Sequence, residues 1–199
     1  MNAPDILIAI KPVINTFKSL SIPYYIGGSI ASSLYGMARA TMDVDIVAQM
    51  NSTQIAAFVK QLQDSYYIDE HMILDAITST SSFNLIHLDT VMKIDVFIQR
   101  TDPFHESALQ RKQIDQLVPD DPESNFYFYS PEDILLHKLC WYEMGERTSE
   151  RQWLDVVGII KVQTNSLDQA YLKQWAQWLN VLDLLTQAFE DAGFPLTEK

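Results

Sequence analysis

Two aspartates separated by one apolar residue, Asp43-Val44-Asp45, constrain this chain more than any other feature of its sequence. The apolar residues around them predict a β-strand, in which residues i and i+2 point to the same face. Both carboxylates therefore project together, while Val44 and Ile46 project into a core. Because two like charges side by side repel each other, the pattern predicts a cation bound between them. Mg²⁺ is the expected ion, since it prefers carboxylate oxygens and often binds through carboxylates and substrate phosphates.

The residues that precede this strand have the composition of a phosphate-binding turn. A short apolar strand, 24–26, runs into Gly27, Gly28 and Ser29. The two glycines allow a sharp turn and a close approach to a ligand. Ser29 begins a predicted helix, whose N-terminus offers unpaired N–H groups and the positive end of the helix dipole. An ordinary strand-to-helix turn is the alternative, and the acidic strand that follows favours phosphate binding.

A third acid, Asp95, lies in the middle of another apolar run, Lys93-Ile94-Asp95-Val96-Phe97. One aspartate in a strand is by itself ambiguous, as many strands carry one exposed acid. Together with the glycine turn and the paired acids, we interpret Asp95 as a third metal ligand. The carboxyl groups of Asp43, Asp45 and Asp95 are expected to converge within one coordination sphere. The alternative for the pair is two solvated acids at the edge of a strand.

These three segments, in this order, resemble the signature of the nucleotidyltransferase superfamily that shares the DNA polymerase beta fold. That signature is an apolar residue before Gly-[Gly/Ser], then a strand with two acids, then a third acid between apolar residues. The matching segments are 26–29, 43–46 and 94–96. The resemblance implies an α/β (α+β) fold in which a mixed, bent sheet is flanked by helices, with a C-terminal helical bundle.

The resemblance also implies a reaction, the transfer of a nucleoside monophosphate from a nucleoside triphosphate to an acceptor hydroxyl, with release of pyrophosphate. Two Mg²⁺ ions about 3.5–4 Å apart would brace the attacking and leaving oxygens. Asp43 and Asp45 would bridge the ions, and Asp95 would hold the catalytic one and serve as candidate base. Gly27, Gly28 and Ser29 would take the outgoing phosphates.

Further residues resemble a bacterial subgroup that includes the AbiEii-type toxins and small antibiotic-modifying transferases. Arg39 and Thr41 fit its R-x-T-x-D-h-D pattern, where h is apolar. In that subgroup a lysine on a later helix, here Lys138, helps to hold the triphosphate, and an R-x-x-x-D segment, here Arg151 and Asp155, supports the site. The alternatives are a weak surface ion pair for Arg39 and an i,i+4 surface pair for Arg151 and Asp155. The apolar neighbours of Lys138 predict a buried ammonium, which needs an anionic partner.

The pattern of the chain changes at Ser130. Before it, apolar runs at 83–88 and 92–99 predict a β-hairpin, and Asp102-Pro103 predicts a helix that continues to about Asp115. From Ser130 onward the periodicity is helical. We therefore predict a nucleotidyltransferase core at 1–129 and a helical lobe at 130–199.

Charge and composition bear on the acceptor and the compartment. Only 14 Lys and Arg stand against 26 Asp and Glu, a net charge of −12, which repels a polyanion. A small-molecule or protein acceptor is therefore favoured over tRNA. A toxin-like transferase acting on tRNA and a non-catalytic nucleotide-binding antitoxin or regulator remain alternatives. The single Cys140 favours a reducing cytoplasm. The N-terminal segment does not have the pattern of a signal peptide, and no apolar run is long enough to span a membrane.

Overall fold

The computed structural model describes residues 3–41 and 43–196, and the chain divides into two compact units. The first unit contains the described residues up to Gly27 together with Ala40–Phe128. The second contains Gly28–Arg39 together with the described residues from Tyr129 onward. The chain thus leaves the first unit between two adjacent glycines and re-enters it just before the paired aspartates.

The first unit holds a seven-stranded mixed sheet. Its strands are β1 (Tyr24–Ile26), β2 (Asp43–Ala48), β3 (Tyr66–Tyr67), β4 (Ser82–His87), β5 (Lys93–Ile98), β6 (Gln113–Gln116) and β7 (Asn125–Phe128). Its helices are α1 (Ala3–Ser19), α3 (Ile55–Leu62), α4 (Glu70–Ser79) and α5 (Pro103–Arg111), with short 3-10 helices at Ser52–Gln54 and Pro122–Ser124.

The strands lie in the order β3-β4-β5-β2-β1-β7-β6. The pairs β2–β5 and β1–β7 are parallel, and the remaining pairs are antiparallel. The predicted hairpin is confirmed as β4–β5, which is antiparallel. The predicted helix to Asp115 was too long, because α5 ends at Arg111 and Gln113 already pairs with Phe128 in β6–β7.

One face of the central strands forms the core of this unit. Val44, Ile46, Ile94 and Val96 alternate with the charged residues of β2 and β5, and all four are fully buried. Aromatic rings extend the core onto α1 and α3. The ring of Phe58 lies 5.2 Å from Phe17 and 6.2 Å from Phe83, in the range of favourable ring pairs. Period-two burial therefore fixes which residues of β2 and β5 face away from the core.

The second unit is helical. It comprises α2 (Gly28–Tyr35), α6 (Pro131–Met144), α7 (Glu150–Gln163), α8 (Gln169–Trp178) and α9 (Leu182–Ala192). The hydroxyl of Ser130 caps α6 by accepting a hydrogen bond from the N–H of Asp133, and Pro131 occupies the first turn. Helix α9 ends at Gly193, whose φ of 84° is the left-handed conformation typical of a helix C-terminus.

Gly36 marks a close approach of the chain to α7. A Cβ atom at Gly36 would lie 2.9 Å from the backbone nitrogen of Ile159 and 2.9 Å from the carbonyl oxygen of Ser32. Because both neighbours are backbone atoms, they cannot move aside as a flexible side chain can. We expect Gly36→Ala to lower the free energy of unfolding by about 1–3 kcal/mol through overpacking, measured by urea denaturation.

Gly158→Ala is the matched control. Its Cβ would meet the flexible side chain of Met37 at 3.3 Å, and Met37 is 70% exposed. An alanine in the interior of α7 also gains roughly 1 kcal/mol of helix propensity. We expect this variant to be at least as stable as the wild type, and equal losses in both variants would show that Gly36 is not specially crowded.

Candidate active site

The three predicted metal ligands lie on one face of the sheet in the first unit. In the parallel register of β2 and β5, Asp45 is directly beside Asp95, and Asp43 is directly beside Lys93. Residues two apart on a strand share a face, so all four side chains project from the side opposite the core. We call these four residues the carboxylate face. A placement of Asp95 on the other side of the sheet would have contradicted the predicted metal site, and the register excludes it.

Lys93 was not singled out from the sequence, although it precedes Asp95 by two residues on the same strand. Its Nζ lies 2.7 Å from Oδ2 of Asp95, and the two side chains are 48% and 18% exposed. The hydrogen bond to Asp95, with the charges of Asp43 and Asp45, raises the pKa of Lys93 above its ordinary value. The ammonium is therefore the cation that the carboxylate face holds within its own chain.

The predicted convergence of the three carboxyl groups on one coordination sphere is not reached. Among residues 3–41 and 43–196, no three His, Cys, Asp or Glu side chains are close enough to hold one metal ion. The physical reason is local. Asp95 is bonded to Lys93, and Oδ1 of Asp43 accepts a 2.7 Å hydrogen bond from the hydroxyl of Thr41. The carboxylates of Asp43 and Asp95 share a face, but each is hydrogen-bonded to a different neighbour.

The glycine turn is attached to the acidic strand. The N–H of Gly27 donates a 2.9 Å hydrogen bond to the carbonyl oxygen of Asp45, which extends the β1–β2 ladder by one residue. Gly28 follows with a φ of 54°, in the left-handed region that favours glycine. The backbone therefore favours glycine at position 28, and Gly28 starts α2.

A second group of predicted residues meets inside the helical unit, around Asp155. Arg39 donates to both carboxylate oxygens, from Nε to Oδ1 at 3.0 Å and from Nη2 to Oδ2 at 3.1 Å. Nζ of Lys138 donates to Oδ2 of Asp155 at 2.8 Å and to Oε1 of Gln152 at 2.9 Å. Arg39 also donates from Nη2 to the hydroxyl of Ser29. We call these five residues the Asp155 cluster.

The Asp155 cluster is buried and carries an excess of positive charge. The side chains of Lys138 and Asp155 are 4% and 7% exposed, and that of Arg39 is 26% exposed. Burial alone would raise the pKa of Asp155, but the hydrogen bonds from Arg39 and Lys138 outweigh it, so the pKa is lowered. Two cations thus share one carboxylate, so the named residues of the cluster carry a formal surplus of one positive charge.

The model of the family described as nucleotidyl transferase AbiEii toxin, type IV TA system, matches residues 24–194. The chain belongs to this AbiEii family. It is accordingly a nucleotidyltransferase, and the suspected superfamily is confirmed. No curated protein matches the chain.

Solved structures confirm the fold of this AbiEii family member. An antigenic nucleotidyltransferase-like protein from Paracoccidioides brasiliensis is 18% identical, with a TM-score of 0.64 over 96% of this chain and 91% of that one. ANT(2'')-Ia in complex with adenylyl-2''-tobramycin is 12% identical, with a TM-score of 0.57 over 90% and 98%. JHP933 from Helicobacter pylori is 14% identical, with a TM-score of 0.53 over 96% and 79%.

The contacts of Arg39 and Asp155 differ from the surface pairs that were the alternatives for these residues. Arg39 does not form a weak surface ion pair, because its partner Asp155 is buried. Asp155 binds Arg39 and Lys138, whereas Arg151, the partner expected at i−4, is exposed. Gln152, which sequence reasoning missed, contacts Lys138 instead.

Within the part of the chain that the structure describes, no helix is long and apolar enough to cross a membrane.

Asp155 should dominate the stability of the helical unit. Asp155→Asn leaves two cations around a neutral amide, and breaking a buried pair in this way costs roughly 3–5 kcal/mol. Because the pKa of Asp155 is lowered in the folded protein, its contribution is fully present above the ordinary value of 3.8 and is lost as pH falls through the folded-state pKa. The difference in free energy of unfolding between wild type and variant should be constant from pH 5 to 7 and shrink below about pH 4.

Urea denaturation at a series of pH values measures that difference. Glu143→Gln is the control, since Glu143 forms an exposed i,i+4 pair with Arg147 and its loss should cost less than about 1 kcal/mol. A loss for Asp155→Asn no larger than that of the control would show that the cluster is not held by its carboxylate.

Proposed function

We propose that this protein is a metal-dependent nucleotidyltransferase that moves a nucleoside monophosphate from a nucleoside triphosphate to a hydroxyl of a small molecule or protein. The observation that carries the proposal is the parallel register of β2 and β5, which aligns Asp45 with Asp95 and keeps Asp43 on the same face. Membership of the AbiEii family supports nucleotidyl transfer in general. The metal, the triphosphate and the acceptor are the proposed parts.

The donor set on the carboxylate face fits a hard divalent cation. Asp43, Asp45 and Asp95 offer only oxygen donors, which suit Mg²⁺, and we propose that they hold two such ions. When bound, the ions would supply positive charge to the phosphates and to the attacking oxygen. The new bond joins the acceptor oxygen to the α-phosphorus, the bond to pyrophosphate breaks, and Asp95 is the proposed acceptor of the hydroxyl proton.

The remaining predicted residues have proposed roles at the triphosphate. Gly27, Gly28 and Ser29 would bind phosphate through backbone N–H groups and a hydroxyl. Arg39 and Lys138 would supply positive charge, and Asp155 would fix their positions. The hydrogen bond from Thr41 to Asp43 supports a part in orienting that carboxylate. Arg151 is exposed, and only a supporting role is proposed for it.

The charge distribution supports an acceptor other than nucleic acid. Of the 14 Lys and Arg, at least five pair with carboxylates among the residues that the structure describes: Lys11, Arg39, Lys93, Lys138 and Arg147. No more than nine Lys and Arg would remain for a phosphate-binding surface, against 26 Asp and Glu on a protein of charge −12. ANT(2'')-Ia, of similar fold, was solved with an adenylylated small molecule. The family description also names a toxin, so a toxin-like transferase is the second candidate, with tRNA as its proposed acceptor. We propose the cytoplasm as the compartment, because the single Cys140 fits a reducing environment.

Labelling of an acceptor tests the proposal. The protein is incubated with each of the four α-³²P-labelled nucleoside triphosphates, Mg²⁺ and cell extract, and the labelled product is identified. We expect Asp43→Asn to abolish labelling while its melting temperature stays equal or rises, because a repulsion between like charges is relieved. Asp64→Asn, an exposed acid of the same unit with the same change in charge, should label as the wild type does.

A non-catalytic regulator would give the opposite result. It would bind a triphosphate without transferring label to any component of the extract. Three intact acids argue against such a degenerate member, and equal labelling by wild type and Asp43→Asn would remove the carboxylate face from the reaction. A large loss of stability in Asp43→Asn would instead show that the residue is structural.

Binding of tRNA separates the two classes of acceptor. At physiological salt we expect no tRNA binding tighter than roughly micromolar, because a chain of net charge −12 repels the phosphates. Filter binding or anisotropy with fluorescent tRNA measures this at several salt concentrations. Tighter binding that falls steeply as salt rises would establish the tRNA-directed alternative.

A further inference from the structure

Lys93 occupies the same carboxylate that the proposed metal would need. Its ammonium lies 2.7 Å from Oδ2 of Asp95, the distance of a charge-assisted hydrogen bond. An ion bound to that oxygen would stand within a few ångströms of the ammonium, where two positive charges repel strongly. The pair and the ion therefore compete for one oxygen.

The sheet geometry extends this competition to all three carboxylates of the carboxylate face. Neighbouring strands are about 4.8 Å apart, and residues two apart on one strand are about 6.6 Å apart. Lys93 stands across from Asp43 and two residues from Asp95, and Asp45 completes the four-residue set. A side chain as long as lysine reaches any of the three carboxylates from this corner. Its charge consequently opposes an ion bound anywhere on the face.

We propose that Lys93 is an internal counter-ion that must leave Asp95 before the divalent ion can bind, and that the triphosphate takes over as its anionic partner. This inference rests on the proposed function, since it assumes the metal on the carboxylate face. It assigns Lys93 as a positioning residue that makes the bare ion bind weakly and the ion–triphosphate complex bind well. The ion and the nucleotide then arrive together.

The exposure of the pair is consistent with such an exchange. Lys93 is 48% exposed, so its ammonium can leave Asp95 and remain hydrated or bind phosphate without a large desolvation cost. Exposed ion pairs contribute little to stability. The Lys93–Asp95 pair is therefore easily broken, and it affects mainly the binding of other cations to the Asp95 carboxylate.

The experiment compares a bare ion with an ion–phosphate complex. Binding of Mn²⁺ alone, and of Mn²⁺ saturated with inorganic triphosphate, is measured by calorimetry for the wild type, Lys93→Met and Lys93→Arg. We expect Lys93→Met to bind Mn²⁺ on the order of tenfold more tightly, because one full charge beside the ion is removed. It should bind the Mn²⁺–triphosphate complex more weakly than the wild type does.

Two variants show that the effect belongs to the charge at this position. Lys93→Arg keeps the charge and should bind both probes as the wild type does. Lys60→Met removes an exposed lysine of α3, so it makes the same change in net charge and should alter neither affinity. Lys93→Gln serves as a second neutral variant if Lys93→Met does not fold.

Failure of the inference is distinguishable from failure of the proposed function. If Mn²⁺ binds wild type and Lys93→Met equally, and Asp43→Asn abolishes that binding, the metal site stands and the counter-ion role is overturned. If none of these chains binds Mn²⁺ in either form, the metal site and the inference fall together. Opposite shifts for the two probes would support both, since a purely structural lysine would move both affinities in the same direction.

Discussion

The parallel pairing of β2 with β5 is the constraint on which the carboxylate face depends. Its register is set by the buried side, where Val44, Ile46, Ile94 and Val96 leave no room for a polar residue. A slip of one residue would turn every side chain of a strand to the opposite face, so Asp95 would enter the core. The hydrophobic effect therefore positions the acids, and chemistry on one face is a consequence of packing on the other.

Charge balance explains the side-chain contacts that packing does not. Three carboxylates on one sheet face repel one another, and Lys93 offsets part of that repulsion from the same face. In the helical unit, buried Lys138 and partly exposed Arg39 repel each other likewise, and Asp155 binds both. Each group therefore contains an opposite charge that offsets the repulsion among its like charges.

Local patterns allowed much of this to be predicted from the sequence. The apolar alternation gave the strands, and the i, i+2 spacing gave the shared face of Asp43 and Asp45. The same spacing places Lys93 on that face, but a metal-site pattern consists of carboxylates and does not predict a lysine among them. The contact of Arg39 with Asp155 spans 116 residues, and no local pattern specifies it. Nor does any pattern show that 28–39 belongs to the helical unit, since that follows from long-range packing.

The residual charges of the two groups indicate what each can bind. The four side chains of the carboxylate face carry a formal charge of −2, and the Asp155 cluster carries +1. A surplus of negative charge favours cations, and a surplus of positive charge favours anions. A free metal ion would satisfy only the first, and a free phosphate only the second. The proposed metal ion and the proposed triphosphate thus each match the charge of one group, considered within its own unit.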